Sequence, residues 1–113
     1  RTRAQFDLID TTLLAEPADP GWAPGAEQAL HTALQSQDLV GLHLEEAACR
    51  TTLCRLELTL DDASAPAESF RALTHLIPWS GQGFVRIDRS GSGEVMIYLA
   101  REGYTLPQLE ERH

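Results

Sequence analysis

Leu42-His43-Leu44-Glu45-Glu46-Ala47-Ala48-Cys49-Arg50-Thr51-Thr52-Leu53-Cys54-Arg55-Leu56-Glu57-Leu58-Thr59-Leu60 is the stretch whose reading decides the fold. Residues Leu39 to Ala48 alternate through Val40, Leu42 and Leu44. Residues Leu53 to Leu60 alternate through Cys54, Leu56, Leu58 and Leu60, so two half-buried strands follow one another. Arg55, Glu57 and Thr59 then point away from the core, toward water. The only two cysteines of the chain, Cys49 and Cys54, stand where these strands meet, which suits a disulfide across the neck of a β-hairpin.

The register of that hairpin contains a conflict. With Cys49 directly opposite Cys54, regular pairing puts Ala47 across from Leu56, Glu45 across from Leu58 and His43 across from Leu60. Leu42 and Leu44 would then face away from the leucines of the second strand, because a one-residue slip turns every side chain to the other face. A β-bulge within Glu45-Glu46-Ala47-Ala48 reconciles the two apolar faces. The alternative is that the cysteines lie in the loop and are not directly opposed.

Outward from the hairpin, the pattern is helix, strand, strand, twice. Trp22 to Gln35 places Ala26, Leu30, Ala33 and Leu34 on one face, with Pro24 in the first turn and Glu27 favouring the positive end of the helix dipole. In the second half, Asp61-Asp62-Ala63-Ser64 supplies capping and turn residues, and Pro66 fits an early helical position. Phe70, Leu73 and Ile77 form a helical stripe that ends at Pro78. The loop Trp79-Ser80-Gly81-Gln82-Gly83 leads into a strand through Phe84, Val85 and Ile87. Ser90-Gly91-Ser92-Gly93 is a turn, and Glu94 to Ala100 returns as a strand with Val95, Ile97 and Leu99 on one face.

Short connections favour antiparallel neighbours, and two amphipathic helices need a surface to cover. The expected fold is α+β, a four-stranded antiparallel sheet with both helices on one face and its strand order left open. Leu30, Leu56, Leu58, Phe70, Leu73, Ile77 and Ile97 are the expected core. Residues 22–106 form one domain and 107–113 a tail. Residues 1–21 carry Phe6, Ile9 and Leu13 at helical spacing with Leu14 beside them, and read as an extra N-terminal helix or as a linker.

Composition excludes several functions. The 113-residue chain has a formal net charge of −8, which works against phosphate-backbone binding, so nucleic acid is not an expected partner. All nine basic residues are arginine, and without lysine there is no Schiff-base nucleophile and no P-loop lysine. No stretch is long and apolar enough for a membrane span. The chain starts at Arg1 instead of methionine, which reads as a protein whose export signal has been removed.

Each candidate site in the sequence also has a plainer reading. A structural disulfide is the first reading of Cys49 and Cys54, closing a loop short enough to contribute about 2 kcal/mol in the chain-entropy model. A redox switch, with Arg50 and Arg55 depressing a thiol pKa, is the alternative. Against it, Cys-x-x-x-x-Cys is not the two-spacer motif of thioredoxin-like enzymes. His31, His43, His75 and His113 never fall in a metal-ligand spacing, Asp61-Asp62 reads as a cap and Gly91-Ser92-Gly93 as a turn, so no catalytic, metal or cofactor residue is assigned. Trp79 with Ser80, Gly81 and Gln82 is the candidate partner-binding surface, because an aromatic residue beside glycines offers contact area and close backbone approach; a core plug, with the indole buried, is the plainer reading of Trp79. Trp22, at a helix entrance, reads as core packing.

Asp19-Pro20-Gly21-Trp22-Ala23, then Glu27, then Cys49-Arg50-Thr51-Thr52-Leu53-Cys54-Arg55-Leu56-Glu57 resembles a pattern in exported or lipoprotein-like domains of Gram-negative bacteria, particularly of myxobacterial type. The distinctive element is Cys-Arg-x-x-x-Cys-Arg. The resemblance implies an extracytoplasmic domain with a disulfide, in the periplasm, on the outer membrane as a lipoprotein, or secreted, and carries no catalytic residue across. The expected function is a non-enzymatic protein-interaction domain, with a structural or assembly domain as the alternative.

Overall fold

A computed structural model describes residues 2–35, 41–60, 75, 77, 79, 82–87 and 93–107. Strands β1 (Leu42–Cys49) and β2 (Leu53–Leu60) are antiparallel, with Cys49 directly opposite Cys54 and joined to it by a disulfide. Pairing continues through Ala48 with Arg55, Ala47 with Leu56 and Glu46 with Glu57, then skips Glu45 and resumes with Leu44 opposite Leu58. The bulge at Glu45 is the expected one. It returns Leu42 and Leu44 to the face shared by Ala47, Cys49, Cys54, Leu56 and Leu58.

Strands β3 (Gly83–Ile87) and β4 (Glu94–Ala100) complete a four-stranded sheet in the order β1-β2-β4-β3, each pair antiparallel. The repeated pattern thereby acquires a spatial form. The first strand of each half lies at an edge and the second at the centre, with β2 against β4. Gly93 secures the entry to β4. Its φ is 77°, and a Cβ there would lie 2.7 Å from the Leu60 carbonyl oxygen, while the Leu60 N–H donates to the Gly93 carbonyl at 2.7 Å. Only glycine combines that conformation with that approach.

Helix α2 (Ala23–Ala33) lies on the face carrying Leu56, Leu58, Val95 and Ile97, and packs chiefly against β1. Leu30, Leu56 and Leu58 are fully buried and Ile97 nearly so, with Ile77 partly buried against them. Phe70, Leu73 and most of the expected second helix lie outside the described residues, although His75 has helical backbone. Glu27 plays a different part from the one expected. It lies beyond the first turn of α2, and its carboxylate accepts the Cys49 N–H at 2.8 Å, occupying an outward-facing donor of edge strand β1.

The opposite face is not left to water. Helix α1 (Thr2–Ala15) covers part of it, burying Ile9 and Leu13 with Leu53, Tyr98, Ala100 and Leu106 in a second apolar cluster. The stripe of Phe6, Ile9 and Leu13 thus marks a packed helix, while Leu14 stays half-exposed. Asp10 on the same face receives the Tyr98 hydroxyl at 2.7 Å and pairs with Arg55 at 2.9 Å. Phe6 meets the Tyr98 ring edge-on at 5.4 Å, and the Arg86 guanidinium lies 4.2 Å over the Phe6 ring. Arg55, expected in water, is therefore half-covered by α1. Burial and then the Asp10 hydrogen bond push the Tyr98 hydroxyl far above its ordinary pKa.

Beyond α1 this face turns acidic. Glu57 stands opposite Glu46, and its pKa is raised, first by a hydrogen bond with Glu46, then by desolvation and by the neighbouring negative charge. A carboxyl group with a raised native pKa binds its proton more tightly when folded. Its contribution therefore destabilises the fold at neutral pH, and is relieved as pH falls through that native value. Glu57→Gln keeps a hydrogen-bonding partner for Glu46 and removes the repulsion, so it should raise stability at neutral pH by about 0.2–1 kcal/mol. In thermal melts, the gain over wild type should shrink on mild acidification. A gain that stayed constant would show that the pair does not titrate as described.

Candidate functional site

The connection between the helices and the tip of the cysteine hairpin are built into one another. The Glu16 carboxylate accepts the N–H groups of Thr51 at 3.2 Å and Thr52 at 2.9 Å, and also the Thr52 hydroxyl. The Arg50 guanidinium donates to the Glu16 carbonyl at 3.0 Å and the Thr51 hydroxyl to the Pro17 carbonyl at 2.6 Å. A two-residue loop thus finds partners for backbone groups that its tight turn leaves unpaired. The disulfide holds its neck, and the segment 16–19 closes over its tip.

Above that tip stands an aromatic cluster organised by Arg101. The residue follows the last position of β4, and its N–H donates to the Thr52 carbonyl at 2.8 Å. One guanidinium nitrogen donates to Asp19 Oδ2 at 3.0 Å and to the Thr51 carbonyl at 3.1 Å. Gly103, with φ 88°, lets the chain reverse so that the Tyr104 N–H reaches the Arg101 carbonyl at 2.8 Å. The guanidinium then lies 4.6 Å from the Trp22 ring centroid and 5.5 Å from that of Tyr104. Its planar, weakly hydrated charge suits such stacking better than an ammonium would.

Asp19 is the fixed point of this arrangement. Its Oδ1 accepts the Gly21 N–H at 2.9 Å, and its Oδ2 takes Arg101. The Gly21 N–H first, and Arg101 second, hold its carboxyl below the ordinary value. Trp79 completes the cluster half-buried. Its indole N–H donates to the Ala100 carbonyl at 2.9 Å, and its ring meets that of Trp22 at 6.0 Å in an edge-to-face contact. Gln82 is exposed, yet its backbone carbonyl accepts the Ala100 N–H at 2.9 Å and its side-chain oxygen the Leu106 N–H at 2.7 Å. Of the candidate surface, Trp79 and Gln82 therefore sit together at the end of β4, while Ser80 and Gly81 lie outside the described residues.

Trp22, Arg101, Tyr104 and Asp19 were not among the sequence candidates. Trp22 packs against the core as expected, but also forms the floor of the cation stack. The available signal was Arg101-Glu102-Gly103-Tyr104 directly after a strand, a turn that returns an aromatic residue onto an arginine. Tyr104 is 47% exposed, and the Arg101 and Asp19 side chains keep about a quarter and a third of their surfaces open.

Both disulfide sulfurs belong to residues with almost no exposure. Arg50 and Arg55, which a reactive thiol would need beside it, are engaged with the Glu16 carbonyl and with Asp10. Among the described residues no three histidine, cysteine or acidic side chains gather as a metal site, and no helix is long and apolar enough to cross a membrane. Comparison with protein-family models, with curated proteins and with solved structures finds no match to the chain.

Proposed function

We propose that the chain is an extracytoplasmic, non-enzymatic protein-interaction domain, belonging to an envelope-anchored or secreted protein, that acts through the aromatic cluster at the end of β4. The observation that carries this reading is the partly open Trp22–Arg101–Tyr104 stack. Aromatic residues and arginine are the side chains over-represented in binding hot spots, and here they are held in place before any partner arrives. Asp19, the hairpin tip and Trp79 supply that preorganisation. The disulfide supports an oxidising compartment. The buried sulfurs weigh against a redox switch.

An assembly domain is the second reading, favoured by β3, an edge strand whose Val85 is 47% exposed.

Tyr104 separates binding from folding better than Trp79, whose indole is tied into the fold. Tyr104→Ala should leave the unfolding midpoint within about 0.5 kcal/mol of wild type, because the ring is half in solvent. In the same variant, capture of a partner from an envelope extract should weaken by about 1–2 kcal/mol. Undiminished capture by a folded Tyr104→Ala protein would reject this surface. Loss of capture on blocking the β3 edge instead would favour assembly.

A further inference from the structure

We propose that β3 is the pairing edge for a second copy of this chain, the two β3 strands meeting antiparallel about a two-fold axis at Val85 so that the sheets run on as one. The inference rests on the assembly reading and names its partner and register. The phase of the β3–β4 ladder decides which backbone groups β3 turns outward. Gln82 lies one position before the Gly83–Leu99 pair, opposite Ala100, and its carbonyl accepts the Ala100 N–H at 2.9 Å. Bonded and non-bonded pairs alternate along an antiparallel ladder. Phe84 and Arg86 therefore bond β4, while Gly83, Val85 and Ile87 turn their N–H and C=O groups away from it.

The two edges of the sheet are built differently. Strand β1 is bulged at Glu45, carries Glu45 and Glu46, and has the outward Cys49 N–H bonded to Glu27. Bulges, charges and occupied donors all discourage strand addition. Strand β3 pairs with β4 residue for residue from Gly83 to Ile87, and Gly-Phe-Val-Arg-Ile contains neither proline nor an acidic residue. Gly83, Val85 and Arg86 are exposed.

The register selects a second copy as the occupant. Val85 is the middle residue of β3, so a two-fold axis there pairs the whole strand with itself. Val85 meets the copy's Val85 and exchanges both hydrogen bonds with it, Gly83 stands opposite the copy's Ile87, and Phe84 opposite the copy's Arg86. The valines meet on the face that carries Ile97. Phe84 and Arg86 fall in non-bonded pairs on the α1 side, where cross-strand side chains come closest. Each guanidinium, already 4.2 Å over Phe6 of its own chain, then meets the copy's Phe84 ring. An axis at Arg86, or parallel pairing in register, would instead set two guanidinium groups opposite each other. Each copy has a formal net charge of −8, and the charge that β3 brings to the junction is the positive one of Arg86.

Sedimentation velocity of the whole chain, from about 5 μM to about 500 μM, should show monomer giving way to dimer, because so short a strand makes a small, concentration-dependent interface. Val85→Lys sets two ammonium groups opposite each other at the axis and should raise the dimer Kd at least about tenfold. Val85→Pro removes an N–H that β4 does not use, and should do the same. Val85→Cys should give a disulfide-linked dimer on mild oxidation, since the Cα atoms of a bonded pair stand about 5.5 Å apart. Circular dichroism of each variant verifies the fold, and Tyr104→Ala should leave the dimer Kd unchanged. A single monomer across the whole range overturns both this inference and the assembly reading. Association unchanged in folded Val85→Lys and Val85→Pro overturns the edge and leaves assembly standing. Loss of association in Tyr104→Ala overturns it too, by moving the contact to the aromatic cluster. A chain that stays monomeric yet takes up a foreign peptide strand, and loses it in Val85→Pro, gives the edge another occupant and overturns the self-pairing.

Discussion

Leu58→Ala should destabilise the fold by about 2–5 kcal/mol, the range for truncating a fully buried leucine. Leu58 has no exposed surface and lies between Leu44 on β1 and Val95 on β4, with hydrogen-bonded strands on either side. Those strands limit how far the backbone can close over the space, so both the transfer loss and the cavity are felt. A fall of about 8 °C or more in the melting temperature is expected. Val85, half-exposed on the edge strand, provides the contrast: Val85→Ala should stay within about 0.5 kcal/mol of wild type. A loss below about half a kcal/mol at Leu58 would mean that the main core lies elsewhere.

The prominence of Leu58 was legible because the hairpin sequence contains both its apolar period and the interruption of that period. Leu42 and Leu44 fall out of phase with Leu56 and Leu58 when the cysteines are opposed, and only an extra residue restores a common face. Glu45 is that residue, polar and exposed, as a side chain at a bulge on an edge strand is free to be. The α+β class and the antiparallel sheet followed from the same periodicities. Strand order did not, since adjacency of β2 and β4 depends on long-range packing that no local pattern encodes.

The face beneath α1 departs from its sequence pattern for a related reason. Arg55, Glu57 and Thr59 look like a water-facing row, and Tyr98, on the same face of the sheet opposite Arg55, does not announce its burial. Asp10 changes the meaning of both. One carboxylate on α1 receives the Tyr98 hydroxyl and the Arg55 guanidinium, so polar groups that would be costly alone are buried as a satisfied set. The candidate site was legible only in part. Trp79 and Gln82 belong to it, but Trp22, Asp19, Arg101 and Tyr104 are brought there by the docking of the hairpin tip on residues 16–19, a contact between segments far apart in sequence.

Replacing Cys49 and Cys54 together by alanine should cost about 2 kcal/mol, the chain-entropy value for so short a loop. The two residues are five apart and sit at the neck of the hairpin, so the constraint acts on the tip more than on the remote sheet. At that tip, Thr51 and Thr52 bond Glu16, and Arg101 bonds Thr51 and Asp19. Loosening the neck should therefore raise hydrogen exchange at Thr51, Thr52 and Arg101 ahead of Leu56 and Ile97, whose strands are paired on both sides. Tryptophan fluorescence should change in the same variant, because Trp22 stacks on Arg101 and Trp79 packs against Trp22. In the wild type, intact mass after alkylation without reductant should show no accessible thiol, and the buried sulfurs should resist a phosphine until the chain is unfolded. Two freely alkylated cysteines in the native protein would remove the physical basis for an oxidising compartment. Unchanged exchange at Thr51 and Thr52 in the alanine variant would mean that Glu16 and Arg101 hold the tip unaided, and that the disulfide secures only its own strands.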